Sequence, residues 1–173
     1  MEVSAELRCD QTLEWMTAMS ETFTLLGGLT SILNPHVFNA GVDIIRAIYT
    51  TPEIVEKRES LPEILAAWST PFTALSVMNN RKTPVHRDNG SGFTANDMLI
   101  TIGPYINGIL DLTSLGCRFR YNSATVVSFS GRLLSHAASA DGERLCIAQY
   151  LRESVLQTFH IQDHMWTSIA DIL

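Results

Sequence analysis

The chain has 173 residues, of which 46% are hydrophobic and 17% are charged. This length is enough for one compact core and too short for two ordinary domains, so we expect residues 1–173 to form a single domain. The formal net charge of −6 counts against broad, nonspecific binding to a polyanion, because phosphate contacts normally need clustered lysine and arginine.

Helical patterns occupy residues 1–70 and predict a helical support for the rest of the chain. Each of four segments begins with a residue that can cap a helix or with a proline in its first turn. The pair Gly27-Gly28 predicts the end of the first helix. A capping box of Ser60 and Glu63 predicts the start of the shortest one. The predicted helix starts are Asp10, Asn34-Pro35, Thr51-Pro52 and Ser60.

Short strands separated by turn signals begin at residue 71 and are typical of a barrel or jelly roll. After residue 152, apolar residues near helical spacing predict a final helix within 153–173. The sequence therefore predicts an α+β fold, with a β core over 71–152, N-terminal helices packed on it and a C-terminal helix. The predicted strands are 72–78, 98–102, 109–112, 118–121, 125–134 and 145–150.

A His-x-Asp triplet, His86 and Asp88, lies in a segment that we expect to be extended. Side chains alternate along a strand, so the imidazole and the carboxylate should point to the same side. Joined by a distant second imidazole, they would make the facial arrangement that leaves three positions open on Fe(II) for oxygen and a bidentate co-substrate. Alone, such a triplet is more often a chance occurrence than a metal site.

His136 and Arg144 lie far from the triplet in the sequence and strengthen the prediction of an iron site. The run 124–136 predicts one long strand, and Asp141-Gly142 is a strong hairpin signal, so His136 and Arg144 should flank one hairpin. The planar fork of an arginine suits the far carboxylate of 2-oxoglutarate, which must be neutralised in a partly dry pocket. Arg144 is the candidate anchor.

Two residues near these candidates are ambiguous. Cys146 shares the face of Arg144 and is a candidate for lining the same pocket, although a buried cysteine more often packs as a small hydrophobe. Arg132 shares a face with His136 but lies roughly 13 Å away along an unbroken strand, so we do not expect it to reach the metal.

Six sequence blocks in a fixed order carry a resemblance to a known family. They are Asn80-Arg81-Lys82-Thr83-Pro84-Val85-His86-Arg87-Asp88, Gly103-Pro104-Tyr105, Leu115-Gly116, Tyr121-Asn122-Ser123-Ala124-Thr125-Val126-Val127, Ser130-Gly131-Arg132-Leu133-Leu134-Ser135-His136 and Gly142-Glu143-Arg144-Leu145-Cys146. Together they resemble the TET/JBP oxygenase domain, in particular the short versions common in mushroom-forming fungi. The resemblance covers about residues 71–155 and is far more specific than any single triplet.

The resemblance implies a distorted double-stranded β-helix that uses Fe(II), 2-oxoglutarate and O2 to oxidise a methyl group on a pyrimidine base in DNA, such as 5-methylcytosine or thymine. By matching position, it implies that His86, Asp88 and His136 are the catalytic metal ligands and that Arg144 binds 2-oxoglutarate. A protein that modifies DNA in this way would be nuclear.

Other features bear on the substrate and leave alternatives open. Basic residues near the triplet and on a later strand could form a rim for DNA, and two aromatic residues are candidates for contacting a base, but solvated charges and core packing are the more usual roles. The acidic balance favours a small molecule or a protein side chain as substrate, and the short chain favours a degenerate, non-catalytic domain. The residues concerned are Arg81, Lys82, Arg87, Arg118, Arg120, Tyr105 and Phe119.

The remaining signals concern the cell compartment. No apolar run is long enough to span a bilayer, and the N-terminus lacks the basic start and apolar stretch of a signal peptide, so we expect an intracellular protein that does not bind membranes. Cys9, Cys117 and Cys146 predict neither a disulfide framework nor a zinc module. His160 and His164, four residues apart, are expected to be exposed or packed rather than to bind a metal. The sequence does not indicate an oligomeric state.

Overall fold

Four helices form the N-terminal layer of the structure, a computed structural model that describes residues 3–161. They are α1 (Asp10–Ala18), α2 (Ser20–Leu33), α3 (Pro35–Thr50) and α4 (Leu61–Ala67). The start of α3 is as predicted: Pro35 lies in the first turn, and the Asn34 side chain accepts a hydrogen bond from the Val37 N–H at 3.4 Å.

Gly27-Gly28 does not end a helix, contrary to the prediction. Both glycines lie inside α2, and the break between α1 and α2 falls at Met19. Gly27 is buried, and a Cβ added there would lie 3.0 Å from Cδ of Pro71. The glycine therefore permits close packing rather than a chain reversal.

One further predicted helix is wrong, and two predicted caps do not form. Pro52–Ile54 forms a single 3-10 turn and not a helix. Asp10 is the first residue of α1 rather than its cap. Ser60 does precede α4, but its side chain makes no capping hydrogen bond, so the predicted capping box is not formed.

Two four-stranded antiparallel sheets follow the helices, and the strand order confirms the predicted jelly roll. The major sheet has the order β1-β8-β3-β6, and the minor sheet has the order β2-β7-β4-β5. This is the strand order of a double-stranded β-helix. In the described part of the chain the strands are β1 (Ala74–Asn79), β2 (Thr83–His86), β3 (Asp97–Ile102), β4 (Tyr105–Leu112), β5 (Cys117–Arg120), β6 (Thr125–Phe129), β7 (His136–Gly142) and β8 (Leu145–Tyr150).

Burial of apolar side chains divides the interior into two clusters. The larger cluster joins the helices to the major sheet, with Phe23 and Ile44 from the helices packed in the same cluster as Met98 and Ile147 from the strands. The smaller cluster fills part of the space between the sheets around Leu110, Leu112, Tyr121 and Phe129. The helices thus cover one face of the major sheet, and the minor sheet covers the other.

The predicted long strand over 125–134 is broken. β6 ends at Phe129, a turn follows, and β7 begins at His136 in the other sheet. The Leu134 N–H donates to the Ser130 carbonyl oxygen at 3.0 Å, which closes the turn. The predicted hairpin is also wrong. Because β7 and β8 belong to different sheets, His136 and Arg144 do not flank one hairpin.

The helix α5 (Glu153–Thr158) begins at residue 153, as the sequence predicts. The rest of the predicted C-terminal helix, including His164, lies outside the described residues. Within residues 3–161, none of the helices combines the length and the apolar character needed to cross a membrane.

Candidate metal centre and co-substrate cavity

His86 and His136 stand directly opposite each other in the antiparallel pair of β2 and β7. Directly opposed residues project from the same face of a sheet. The two imidazole ring centroids are 4.3 Å apart, and both side chains line a cavity between the sheets. The two histidines, fifty positions apart in the sequence, therefore lie on adjacent strands.

Asp88 completes a compact group of three donors, although it lies just beyond the end of β2. Its Oδ1 is 3.2 Å from His86 Nε2, and its Oδ2 is 3.5 Å from His136 Nε2. One donor atom from each residue lies within 4.8 Å of the others. Adjacent donors on an octahedral ion, each about 2.1 Å from it, are about 3 Å apart, so this spacing fits one divalent ion.

Backbone carbonyl groups orient both imidazoles. His136 Nδ1 lies 3.0 Å from the Leu134 oxygen, and His86 Nδ1 lies 3.0 Å from the Pro84 oxygen and 3.2 Å from that of His136. A carbonyl oxygen only accepts hydrogen bonds, so each Nδ1 must carry the proton and donate it. A neutral ring with its proton on Nδ1 has a lone pair on Nε2, which is the form that binds a metal.

Gly131 lies against the Asp88 carboxylate and fixes its position. The Asp88 N–H donates to the Gly131 carbonyl oxygen at 2.9 Å. A Cβ added at Gly131 would overlap Oδ2 of Asp88 and lie 2.6 Å from Oδ2 of Asp97. Only a glycine therefore allows both carboxylates to approach this turn.

The cavity between the sheets has a volume of about 230 Å³. Its walls include the three donors and also Arg144, Cys146 and Tyr121. Pockets for drug-sized ligands measure about 300–1,000 Å³, so this smaller space suits a small co-substrate. A larger, mostly apolar cavity of about 780 Å³ lies among α2, α3 and α4, but its walls include none of the three donors.

Within the described residues, Arg144 is a buried cation without an acidic partner. It is only 5% exposed, its Nε donates to Thr101 Oγ1 at 3.0 Å, and its Nη1 donates to the Arg81 carbonyl oxygen at 3.4 Å. None of the ion pairs within residues 3–161 involves Arg144. Burying an unpaired charge costs free energy, so an anion bound by this guanidinium would offset that cost.

Tyr121 and Cys146 form the neutral wall beside this guanidinium. Arg144 Cζ lies 5.0 Å from the Tyr121 ring centroid, and the Tyr121 hydroxyl is 3.8 Å from Cys146 Sγ. Burial raises the pKa of Tyr121 and of the Cys146 thiol. Both groups therefore stay uncharged at neutral pH and add no negative charge that would compete with an anion.

Asp97 is a buried acid beside the site that the sequence analysis missed. It is 2% exposed, and Ser91 Oγ donates to its Oδ2 at 3.2 Å. Burial, with the nearby Asp88 carboxylate as the second cause, raises the pKa of Asp97 to about 8. Its Oδ1 has no hydrogen-bond partner among the described residues, which suits a protonated carboxyl group.

Most other candidates do not line the cavity. Tyr105 donates its hydroxyl to the Tyr121 carbonyl oxygen at 2.7 Å and has a structural role. Phe119 is 48% exposed on the edge strand β5. His160 is exposed in the turn after α5, and its predicted helical partner lies outside the described residues.

Three of the basic candidates contact an acidic or hydroxyl side chain. Arg118 Nη2 lies 2.8 Å from Asp111 Oδ2, and Lys82 Nζ lies 3.6 Å from Asp141 Oδ1. Arg87 lines the cavity and donates from Nε to Ser135 Oγ at 3.0 Å.

Comparison with protein families gives a match over residues 5–153 to Tet_JBP, the oxygenase domain of the 2OGFeDO superfamily. The chain belongs to this family. The match extends further towards the N-terminus than the sequence blocks do, so it includes the helical layer. Tet_JBP proteins are dioxygenases that use Fe(II), 2-oxoglutarate and O2, so the predicted enzyme class and cofactors are confirmed.

Among solved structures, NgTET1 in complex with 5mC DNA is similar to this Tet_JBP domain. The similarity has a TM-score of 0.47 at 17% identity, and it covers 56% of this chain and 39% of that one. The matched region is therefore less than half the length of the NgTET1 chain. No curated protein shows significant similarity to the chain.

Proposed function

We propose that His86, Asp88 and His136 hold the iron, that Arg144 binds 2-oxoglutarate, and that the enzyme oxidises the methyl group of 5-methylcytosine or thymine in DNA. The observation that carries the site assignment is the joint geometry. Three suitable donors within 4.8 Å line the same cavity as the buried Arg144 guanidinium, which has no acidic partner in the part of the chain that the structure describes.

When bound, iron would supply oxygen activation, with 2-oxoglutarate as the electron donor. The protein contributes position and charge. Nε2 of each histidine and the Asp88 carboxylate face a common point, and the Arg144 fork neutralises the far carboxylate of the co-substrate. The buried, neutral side chains of Tyr121 and Cys146 lower the local polarity beside Arg144, which strengthens such an ion pair.

Support for a DNA substrate comes mainly from the family and from the sequence blocks it shares with TET/JBP domains. A basic stretch adds to it: Arg81, Lys82 and Arg87 are exposed in or next to β2, which ends at His86. A base in duplex DNA must be turned out of the stack before its methyl group can reach the iron. On this proposal the protein acts in the nucleus.

A second candidate is an oxygenase of the same scaffold that acts on a small molecule or a protein side chain. Two observations favour it. The net charge is −6, and carboxylates pair with Lys82 and Arg118, which reduces the basic surface available to phosphates.

One experiment separates these substrates. Purified protein is incubated with Fe(II), 2-oxoglutarate and paired oligonucleotides that differ only in a methylated cytosine, and both succinate and base oxidation are measured by mass spectrometry. Oxidised base with matching succinate supports the DNA proposal. Succinate that is lost in His86→Ala but is unaffected by methylation favours the second candidate. Absence of metal binding would refute both.

We also propose that helices and sheets act as one domain. One buried cluster contains side chains from the helices, from the major sheet and from α5. Without the N-terminal residues, the apolar face of the major sheet would be exposed to solvent.

A further inference from the structure

The loop that follows Asp88 is held between two distant parts of the chain. Residues 89–93 form this loop, and Asn89, Gly90 and Ser91 line the candidate cavity. On one side the loop meets the turn 130–134 that leads to His136. On the other it meets residues 151–153, where the Gly92 N–H donates to the Leu151 carbonyl oxygen at 2.8 Å.

Arg132 contacts the loop from the side of the turn. Its Nη1 donates to the carbonyl oxygens of Asn89 at 3.2 Å and Ser91 at 3.1 Å, and its Cζ lies 5.9 Å from the Phe93 ring centroid. The expectation that Arg132 lies far from the metal site assumed an unbroken strand. Because the chain turns after Phe129, the guanidinium instead reaches the loop beside Asp88.

Glu153 contacts the loop from the opposite side. Its Oε2 accepts a hydrogen bond from the Phe93 N–H at 3.2 Å and lies 3.6 Å from Arg132 Nη1. Its own N–H donates to the Gly90 carbonyl oxygen at 3.1 Å. The side chains of Arg132 and Glu153 are 32% and 24% exposed, so solvent screens this pair less than a surface pair.

We propose that Arg132 and Glu153 are positioning residues that hold the 89–93 loop and, through it, the Asp88 carboxylate at the metal site. The inference rests on the proposed function of Asp88. The Asp88 N–H donates to Gly131 and its carbonyl oxygen accepts from the Ser91 N–H at 3.3 Å, so any shift of the loop or the turn moves Asp88.

A guanidinium suits this position better than an ammonium. Both hydrogen bonds and the ion pair use one nitrogen, Nη1, while the flat guanidinium also lies near the Phe93 ring. A lysine provides a compact, strongly hydrated ammonium that does not stack on a ring in this way. We therefore expect Arg132→Lys to retain only part of the effect. The contact between the loop and the turn 130–134 also links two candidate ligands, because Asp88 precedes the loop and His136 follows the turn.

The test uses Mn(II) with 2-oxoglutarate as a redox-stable probe, titrated by calorimetry into the wild type, Arg132→Gln, Arg132→Lys and Glu153→Gln. Changes to residues that orient metal ligands typically weaken metal affinity by about 10–100-fold, and we expect about tenfold for Arg132→Gln. Amide hydrogen exchange of the metal-free protein should accelerate at residues 88–93. Arg118→Gln is the matched control, because it removes an Arg–Asp pair on the β4–β5 edge without touching the loop.

Wild-type Mn(II) affinity together with wild-type exchange at residues 88–93 in Arg132→Gln and Glu153→Gln overturns the proposal. If Arg132→Gln does not fold, Glu153→Gln and Arg132→Lys decide by the same two measurements. His86→Ala separates this outcome from a failure of the site itself. If that variant binds Mn(II) normally, the metal assignment is wrong, whereas loss of binding there with normal binding in the loop variants rejects only the positioning role.

Discussion

His86 and His136 face each other across a single antiparallel strand pair, with the ring centroids 4.3 Å apart. The pairing of β2 with β7 thus builds two thirds of the candidate metal site as a direct result of sheet register. A shift of one residue would turn one imidazole to the opposite face. The relative position of the two imidazoles therefore depends on the register of β2 and β7.

His86→Ala and Asp88→Ala should each abolish Fe(II)-dependent turnover of 2-oxoglutarate, because two remaining donors hold the ion poorly. Metal affinity by calorimetry and succinate production are the measurements. His160→Ala, which changes an exposed histidine outside the cavity, is the control. Robust turnover by either site variant would contradict the assignment.

Arg144→Ala should chiefly raise the KM for 2-oxoglutarate. A hydrogen bond to a charged group contributes about 1.5–3 kcal/mol, which corresponds to roughly 10–100-fold in affinity. Arg144→Lys should be intermediate because it keeps the charge and loses the fork. An unchanged KM in Arg144→Ala, with Arg118→Ala as the control, would remove the anchor role.

Asp97 should make the metal-free protein less stable as the pH rises. Its native pKa of about 8 exceeds the ordinary value of 3.8, so the folded state binds this proton more tightly than the unfolded chain does. Its contribution is therefore fully present below about pH 4 and is lost as the pH approaches 8. Denaturant unfolding of the wild type and Asp97→Asn with a chelator measures this, and stability curves that stay parallel across the range would disprove it.

Gly131→Ala should weaken metal binding. The added methyl group would overlap the Asp88 carboxylate oxygen and displace it. Gly90→Ala is the matched control on the neighbouring loop, because a Cβ there meets no atom within 4 Å. Equal Mn(II) affinity in the two variants would show that the close approach at Gly131 has no role in the site.

Gly41→Ala and Gly28→Ala should change stability in opposite directions. Gly41 is buried in α3, and a Cβ there would overlap the Pro71 carbonyl oxygen, so the helix must move away from the chain. Gly28 is exposed in α2 with open space around it, and alanine should stabilise the helix by about 0.5–1 kcal/mol. Thermal unfolding compares the two, and destabilisation by both would refute the packing argument.

The His-x-Asp triplet, His136 and Arg144 could be singled out as candidates from the sequence, because each has a distinctive residue type and lies in a recognisable block. The structure brings them to one cavity, and their roles stay predictions. The strand error near them has two physical causes. Ser130-Gly131 is a turn signal that the surrounding apolar run outweighed in the pattern. β7 contains Ala137, Ala138 and Ala140, which have weak β propensity, so its strand form depends on pairing with β2 and β4.

Asp97 and the contacts of Arg132 could not be predicted for a different reason. An aspartate at the start of a strand and an arginine after a glycine are ordinary surface residues in sequence. Their burial and partners arise only when the 89–93 loop, the turn 130–134 and residues 151–153 meet in space. Long-range packing of this kind has no local signal.

Among residues 3–161 Arg144 has no acidic partner, and this has a consequence for the life of the protein in the cell. A ligand that binds only the folded state shifts the equilibrium away from the unfolded chain, by about 2.7 kcal/mol at one hundred times its dissociation constant. In its proposed role, 2-oxoglutarate is such a ligand. Resistance to proteolysis, and with it the steady-state abundance of the enzyme, should then follow the metabolic supply of its own co-substrate.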